Sequence, residues 1–128
     1  MTADLTYLVW AVALTIVQVL VASSGGMTQI PLPVLAGNRE TSIEGRGWVG
    51  RAQRAHRNML ESLVLFASLV LVAHVSGLAN ATTALGAAVF FYARLVYTVV
   101  YWLGIPWLRT AVWTVAVVGL VMILSQLI

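Results

Sequence analysis

Arg51, Arg54, Arg57, Asn58 and Glu61 crowd a short stretch near the middle of the chain. On a helix turning about 100° per residue they share an arc of roughly 120°. Three guanidiniums, an amide and a carboxylate on one stripe suit a small, multiply anionic ligand, because Arg grips carboxylate or phosphate with two parallel N–H bonds. No helix breaker separates this stripe from the apolar run Leu63 to Val75. The stripe therefore leads into a membrane, where charged side chains face a bundle interior or a water-filled cavity rather than lipid.

A second cluster lies further on. Arg94, Tyr97 and Tyr101 are spaced by three and four residues, which puts them within about 60° of one helix face. A buried Arg needs a partner, and Glu61 is the one acid inside an apolar stretch, so Glu61 is predicted to pair with an Arg of a neighbouring helix or a neighbouring chain. The same pair could serve packing alone. Arg109 follows Pro106 at the start of the last apolar run. It reads either as a charged anchor at the membrane boundary or as a cation beside a reacting anion, where first-turn N–H groups add to its field. Tyr7, Trp10, Trp102 and Trp107 are expected in the interfacial aromatic belt. His56 reads as a polar interface residue, and His74 lies away from the Arg cluster; the two are too far apart for a helix-based metal pair, and no metal site is expected. The absence of Cys excludes disulfides, thiolate metal sites and a protein thiol nucleophile.

The elements that must position these residues are membrane helices. Of 128 residues, 61% are hydrophobic and 9% charged, with mean hydropathy +0.96, whereas soluble domains carry about 25% charged residues. The chain is read as one integral membrane domain, all-α, a transmembrane four-helix bundle with helices over 5–22, 48–75, 83–103 and 107–127. The net charge of +3 comes from seven Arg against four acids, with no Lys. These cations cluster at a membrane boundary rather than on a solvated face, so no nucleic-acid partner is expected; the lipid bilayer is. Val21-Ala22-Ser23 weakly resembles a signal-peptidase site, but the start offers only Asp4 and no cation, so the first helix is expected to stay uncleaved. Thr15 and Gln18 give that helix a polar side suited to helix contact. Ser23-Ser24-Gly25-Gly26 is expected to end it. Ile30-Pro31-Leu32-Pro33 is expected to be extended and Ala36 to Glu40 a turn. Five Arg lie in the first connection and the start of the second helix, and Arg109 lies at the third connection. The second connection and both termini hold none. The positive-inside rule then places both termini on the non-cytoplasmic side and opens the Arg-lined pocket to the cytoplasm. An apolar co-substrate would reach it from lipid.

Arg54-Ala55-His56-Arg57-Asn58-Met59-Leu60-Glu61 with Phe66, then Arg94-Leu95-Val96-Tyr97-Thr98-Val99-Val100-Tyr101, then Gly104-Ile105-Pro106-Trp107-Leu108-Arg109 resemble the MAPEG family, the membrane-associated proteins of eicosanoid and glutathione metabolism. Gly37-Asn38-Arg39-Glu40 is similar to bacterial members in particular. The resemblance spans essentially the whole chain. It implies a bacterial inner-membrane protein, a homotrimer with sites at subunit interfaces, glutathione as cofactor or substrate, and a small hydrophobic electrophile as the second partner. It further implies glutathione contacts at Arg54, Asn58, Glu61, Arg94, Tyr97 and Tyr101, with Arg51 and Arg57 at basic positions of the same motif. Arg109 falls where the family places the Arg that stabilises the thiolate. A guanidinium there would favour the anion of the glutathione thiol, which then attacks the electrophile. The family's usual Pro is Val64 here, and Trp113 stands where several eukaryotic members have Tyr. The implied activity is a glutathione-dependent transferase or peroxidase. The alternatives are a non-catalytic membrane protein or accessory subunit using the same Arg–Glu network for packing, and an enzyme using another anionic thiol.

Overall fold

The computed structural model describes residues 1–37 and 44–128. Five helices, α1 (Ala3–Gln29), α2 (Leu32–Ala36), α3 (Trp48–Ser76), α4 (Ala81–Leu103) and α5 (Pro106–Ser125), make up the fold, with no strand among the described residues. All but α2 are long and apolar enough to cross a bilayer. The fold is an all-helical, four-helix membrane bundle.

Local sequence sets the helix ends. Thr2 caps α1 through its side chain. Asn80 and Thr83 form a reciprocal capping box at the start of α4. Gly77 and Gly104 end α3 and α4 with φ of 74° and 77°, a left-handed stop that glycine adopts without strain. Pro106 opens α5 at a position whose missing N–H is not needed. Asn80 Nδ2 donates to Gln126 Oε1 at 2.9 Å, tying the α3–α4 turn to the end of α5. The C-terminus thus lies at the end of the bundle opposite the α4–α5 turn.

Two expectations for the first connection need correction. Ser23-Ser24-Gly25-Gly26 does not end α1, which runs through to Gln29 and stops before Pro31. The two glycines are buried, and a Cβ on Gly25 would lie 2.9 Å from the Trp48 ring and 3.0 Å from Val49. They serve close approach of α3, a role that sequence does not distinguish from a helix stop. Pro33 does not hold an extended segment either; it sits in the first turn of α2, where its fixed φ suits a helix start, and only Ile30 and Pro31 are extended. Of the turn expected over Ala36 to Glu40, Ala36 closes α2 and Gly37 turns. Asn38, Arg39 and Glu40 lie outside the described residues.

α4 is the central helix. Over half of its apolar window is buried (56%), against 22% for α1 and α3 and 17% for α5. The outer three helices therefore keep apolar surface for lipid or for other chains. Lipid tails are as apolar as the core, so close packing rather than escape from water holds these helices together. Gly86 and Gly119 let α4 and α5 touch through their backbones: a Cβ on Gly119 would stand 2.7 Å from the Gly86 carbonyl oxygen. Phe66 of α3 stacks on Phe90 of α4, with centroids 4.1 Å apart. Tyr7 and Trp10 pack with Phe91 and Tyr92 in one aromatic group. Trp102 is half-buried, while Trp107 is 86% exposed.

Candidate functional site: a guanidinium-lined cleft

At the end of the bundle that carries the α4–α5 turn, three helices enclose a cleft of about 270 Å³. α3 supplies Arg54 and Asn58, α4 supplies Tyr97 and Tyr101, and α5 supplies Arg109, Thr110 and Trp113. Arg109 and Tyr101 meet as cation over ring, with the guanidinium carbon 4.7 Å from the ring centroid. Tyr101 packs edge-on to Tyr97 at 5.5 Å. The guanidinium of Arg94 lies over the other tyrosine, 4.0 Å from the Tyr97 centroid.

Arg94 is wholly buried and stands behind this lining. Its Nη1 donates to Asn58 Oδ1 at 2.8 Å. Its Nε and Nη2 have no partner among the described residues, and no carboxylate there pairs with it. Among the described residues Arg94 is therefore a buried cation held by the Asn58 amide and by Tyr97 without a carboxylate, which raises the attraction of the neighbouring cleft for an anion. Behind Arg94, Thr98 donates to its carbonyl oxygen at 2.9 Å, and Gln18 Nε2 of α1 donates to the Thr98 hydroxyl. Gln18 thus makes the helix contact expected of it, whereas Thr15 bonds its own helix at Ala11.

Outside the cleft, Arg54 Nη1 pairs at 2.6 Å with Oε1 of Glu44, a residue that lines the groove between α1, α2 and the start of α3. Glu44 is held by its chain neighbours. Gly45 N donates to Gln53 Oε1, and Arg46 N donates to Gln29 Oε1, both at 2.6 Å. Gln29 Nε2 returns a bond to the Arg46 carbonyl at 3.1 Å.

Five of the residues singled out in the sequence thus line one cleft: Arg54, Asn58, Tyr97, Tyr101 and Arg109, with Arg94 adjoining it. The other three lie elsewhere in the chain. Arg51 turns to the end of α4, where its Nε donates to the Trp102 carbonyl at 3.1 Å. Arg57 is exposed and lines a separate groove of about 570 Å³ with His56, between α1, α2 and the start of α3. Glu61 is exposed, and among the described residues of this chain no Arg pairs with it; the ion pair there is Arg54–Glu44. A stripe roughly 120° wide is broader than the α4–α5 side of α3, so its edges face other neighbours. Thr110 and Trp113 were not singled out as site residues, although both follow Arg109 within about one helical turn, a spacing that puts Trp113 on the same face. Glu44 carried no local signal.

A family model matches residues 5–128, nearly the whole chain, and its description is the MAPEG family. The chain belongs to the MAPEG family. No curated protein and no solved structure matches it. As a MAPEG member it is an integral, multi-pass membrane protein of the family of glutathione and eicosanoid metabolism, whose members generally involve glutathione and are typically oligomeric. Among the described residues of this MAPEG chain the cleft lining holds two guanidiniums, an amide and hydroxyls, and no carboxylate. Such a lining is rich in donors and favours a ligand rich in acceptors.

Proposed function

We propose that the cleft binds glutathione and presents its sulfur, as the thiolate, to a hydrophobic electrophile arriving from the bilayer. The observation that carries this reading is the lining of Arg54, Asn58 and Arg109, free of carboxylates among the described residues and backed by the buried cation of Arg94. Arg54 and the Asn58 amide would hold carboxylate oxygens. Arg109, at the first turn of α5, would stabilise the sulfur anion after its proton passes to water. In the transferase reaction the thiolate forms a carbon–sulfur bond and the electrophile's leaving group departs with the bonding pair. In the peroxidase reaction two thiols are oxidised to a disulfide as a hydroperoxide is reduced to an alcohol and water.

The site is completed, on this reading, by a neighbouring copy in a homotrimer. A cleft of about 270 Å³ lies just below the range of roughly 300–1,000 Å³ usual for ligand pockets. Glu61 and Arg57 are exposed on a helix that crosses the membrane, where an unpartnered charge facing lipid is costly. A second chain against α3 would cover both. The Arg distribution supports a cleft open to the cytoplasm.

The test is glutathione titration by isothermal calorimetry on protein in mild detergent, with Arg54→Ala alongside and native mass spectrometry for assembly. Saturable binding weakened by the substitution supports the reading. A folded protein that binds no glutathione at millimolar concentration returns the chain to the accessory, non-catalytic reading. A monomeric mass removes the interface site.

A further inference from the structure

We infer that Glu44 sets the affinity of the cleft for anions, as a specificity-determining residue that acts from outside the lining. The inference rests on the reading of the cleft as an anion site. Among the described residues three guanidiniums bear on the cleft, Arg54 and Arg109 in its wall and Arg94 behind it, and no acid lines it. Among the described residues the carboxylate paired with any of them is that of Glu44, at 2.6 Å from Arg54 Nη1. It offsets one positive charge and takes one N–H that a ligand carboxylate would otherwise accept.

The placement of Glu44 is built rather than incidental. Gln53 of α3 and Gln29 of α1 bind the backbone of Gly45 and Arg46, and so fix the segment across the start of α3. Gly50 allows this crossing: a Cβ there would meet the Gly45 carbonyl oxygen at 2.4 Å and Arg54 Nη1 at 3.2 Å. The segment thus lies directly on the turn that carries Arg54. A monoanion gains little at a guanidinium that is already partly neutralised. A ligand with a second carboxylate still gains from the Asn58 amide and the field of Arg94, so Glu44 discriminates against singly charged anions.

The test compares wild type, Glu44→Gln and Glu44→Asp by calorimetry, with glutathione, glutarate and acetate as probes and thermal melts as a folding control. The expected result is binding of glutathione and glutarate tightened about two- to fivefold in Glu44→Gln, the scale of one exposed ion pair, with a relatively larger gain for acetate. Glu44→Asp keeps the charge and should stay near wild type. Unchanged or weaker anion binding in a folded Glu44→Gln protein overturns the inference. If glutathione fails to bind while glutarate tightens, the glutathione reading falls and the role of Glu44 stands. If no probe binds the Glu44→Gln protein, both fall, because removing the offsetting charge should expose the subsite.

Discussion

Arg94 donates to Asn58 Oδ1 across the α3–α4 interface at 2.8 Å, and thereby decides which way the Asn58 amide faces. A guanidinium only donates, so the amide must offer it oxygen and turn its NH2 toward the cleft. Asn58→Asp would pair with Arg94 equally well but would present an acceptor and a negative charge in place of a donor. Such protein should fold with at least wild-type melting behaviour, yet bind glutathione at least about tenfold more weakly, equivalent to the loss of roughly 1.4 kcal/mol. Calorimetry on the folded variant checks this; unchanged affinity would remove Asn58 from the site.

Asn58→Leu asks the complementary question. It strips the buried guanidinium of its Asn58 acceptor, and stability should fall by about 1–3 kcal/mol. The loss is read as a lower midpoint of thermal unfolding in detergent.

Arg109→Ala separates binding from chemistry. If its guanidinium stabilises the sulfur anion, turnover with a model electrophile should drop on the order of a hundredfold, as for loss of one preorganised charge-stabilising group. Glutathione affinity should change little. Ultraviolet absorption of bound thiolate, present in wild type and absent in the variant, gives a readout that does not depend on choosing the right electrophile.

Arg51→Met should act on stability alone. Its Nε satisfies the Trp102 carbonyl in the last turn of α4, beside Gly104. Removing it should cost about 1 kcal/mol, the worth of one bond at a helix end. A large loss of glutathione affinity in a folded variant would instead return Arg51 to the ligand.

Gly119→Val tests the backbone contact of α4 with α5. Its first carbon would stand 2.7 Å from the Gly86 oxygen and 2.8 Å from Phe90 N. The helices must part, at about 1–3 kcal/mol or more. Because Arg109 and Trp113 ride on α5, lost ligand affinity should accompany the lower melting point.

Much of the fold and part of the site could be read from the sequence, for reasons visible in particular residues. Four apolar runs fix four helices because a bilayer core admits few alternatives. Arg54 and Asn58 sit four residues apart on α3, and Tyr97 and Tyr101 do the same on α4, so local spacing already groups each pair. Which edge of a stripe meets which neighbour is a tertiary fact. Arg51, Arg57 and Glu61 share the stripe with Arg54 but point to a helix end, a second groove and the outside of the chain. Glu44 reaches Arg54 only because two glutamines and two glycines shape the crossing, and no period in the sequence encodes that. The glycines of α1 misled for a related reason: Gly25 and Gly26 are alike in a helix stop and in a helix contact until the partner, Trp48, is known.

The continuation of α1 past those glycines has a consequence for where the site stands in the bilayer. Above the level at which Gln18 meets Thr98, α1 climbs to Gln29 while α4 stops at Leu103, an overhang of about 9 Å at roughly 1.5 Å per residue. α3 likewise begins before the α4–α5 turn, since Arg51 already reaches Trp102. At 27 and 29 residues, both helices exceed the roughly 20 that span a hydrocarbon core. The bundle is thus stepped, two tall posts beside two short ones; Arg54 and Arg109 lie near the ledge between them, and Arg94 lies deeper, within α4. Centred on a hydrocarbon core of roughly 30 Å, such a ledge would lie near the lipid headgroups, wetted from above and oily at its side. Bilayer thickness then becomes a variable of the site: a thicker membrane would draw the ledge toward hydrocarbon, and a thinner one would lift it into water.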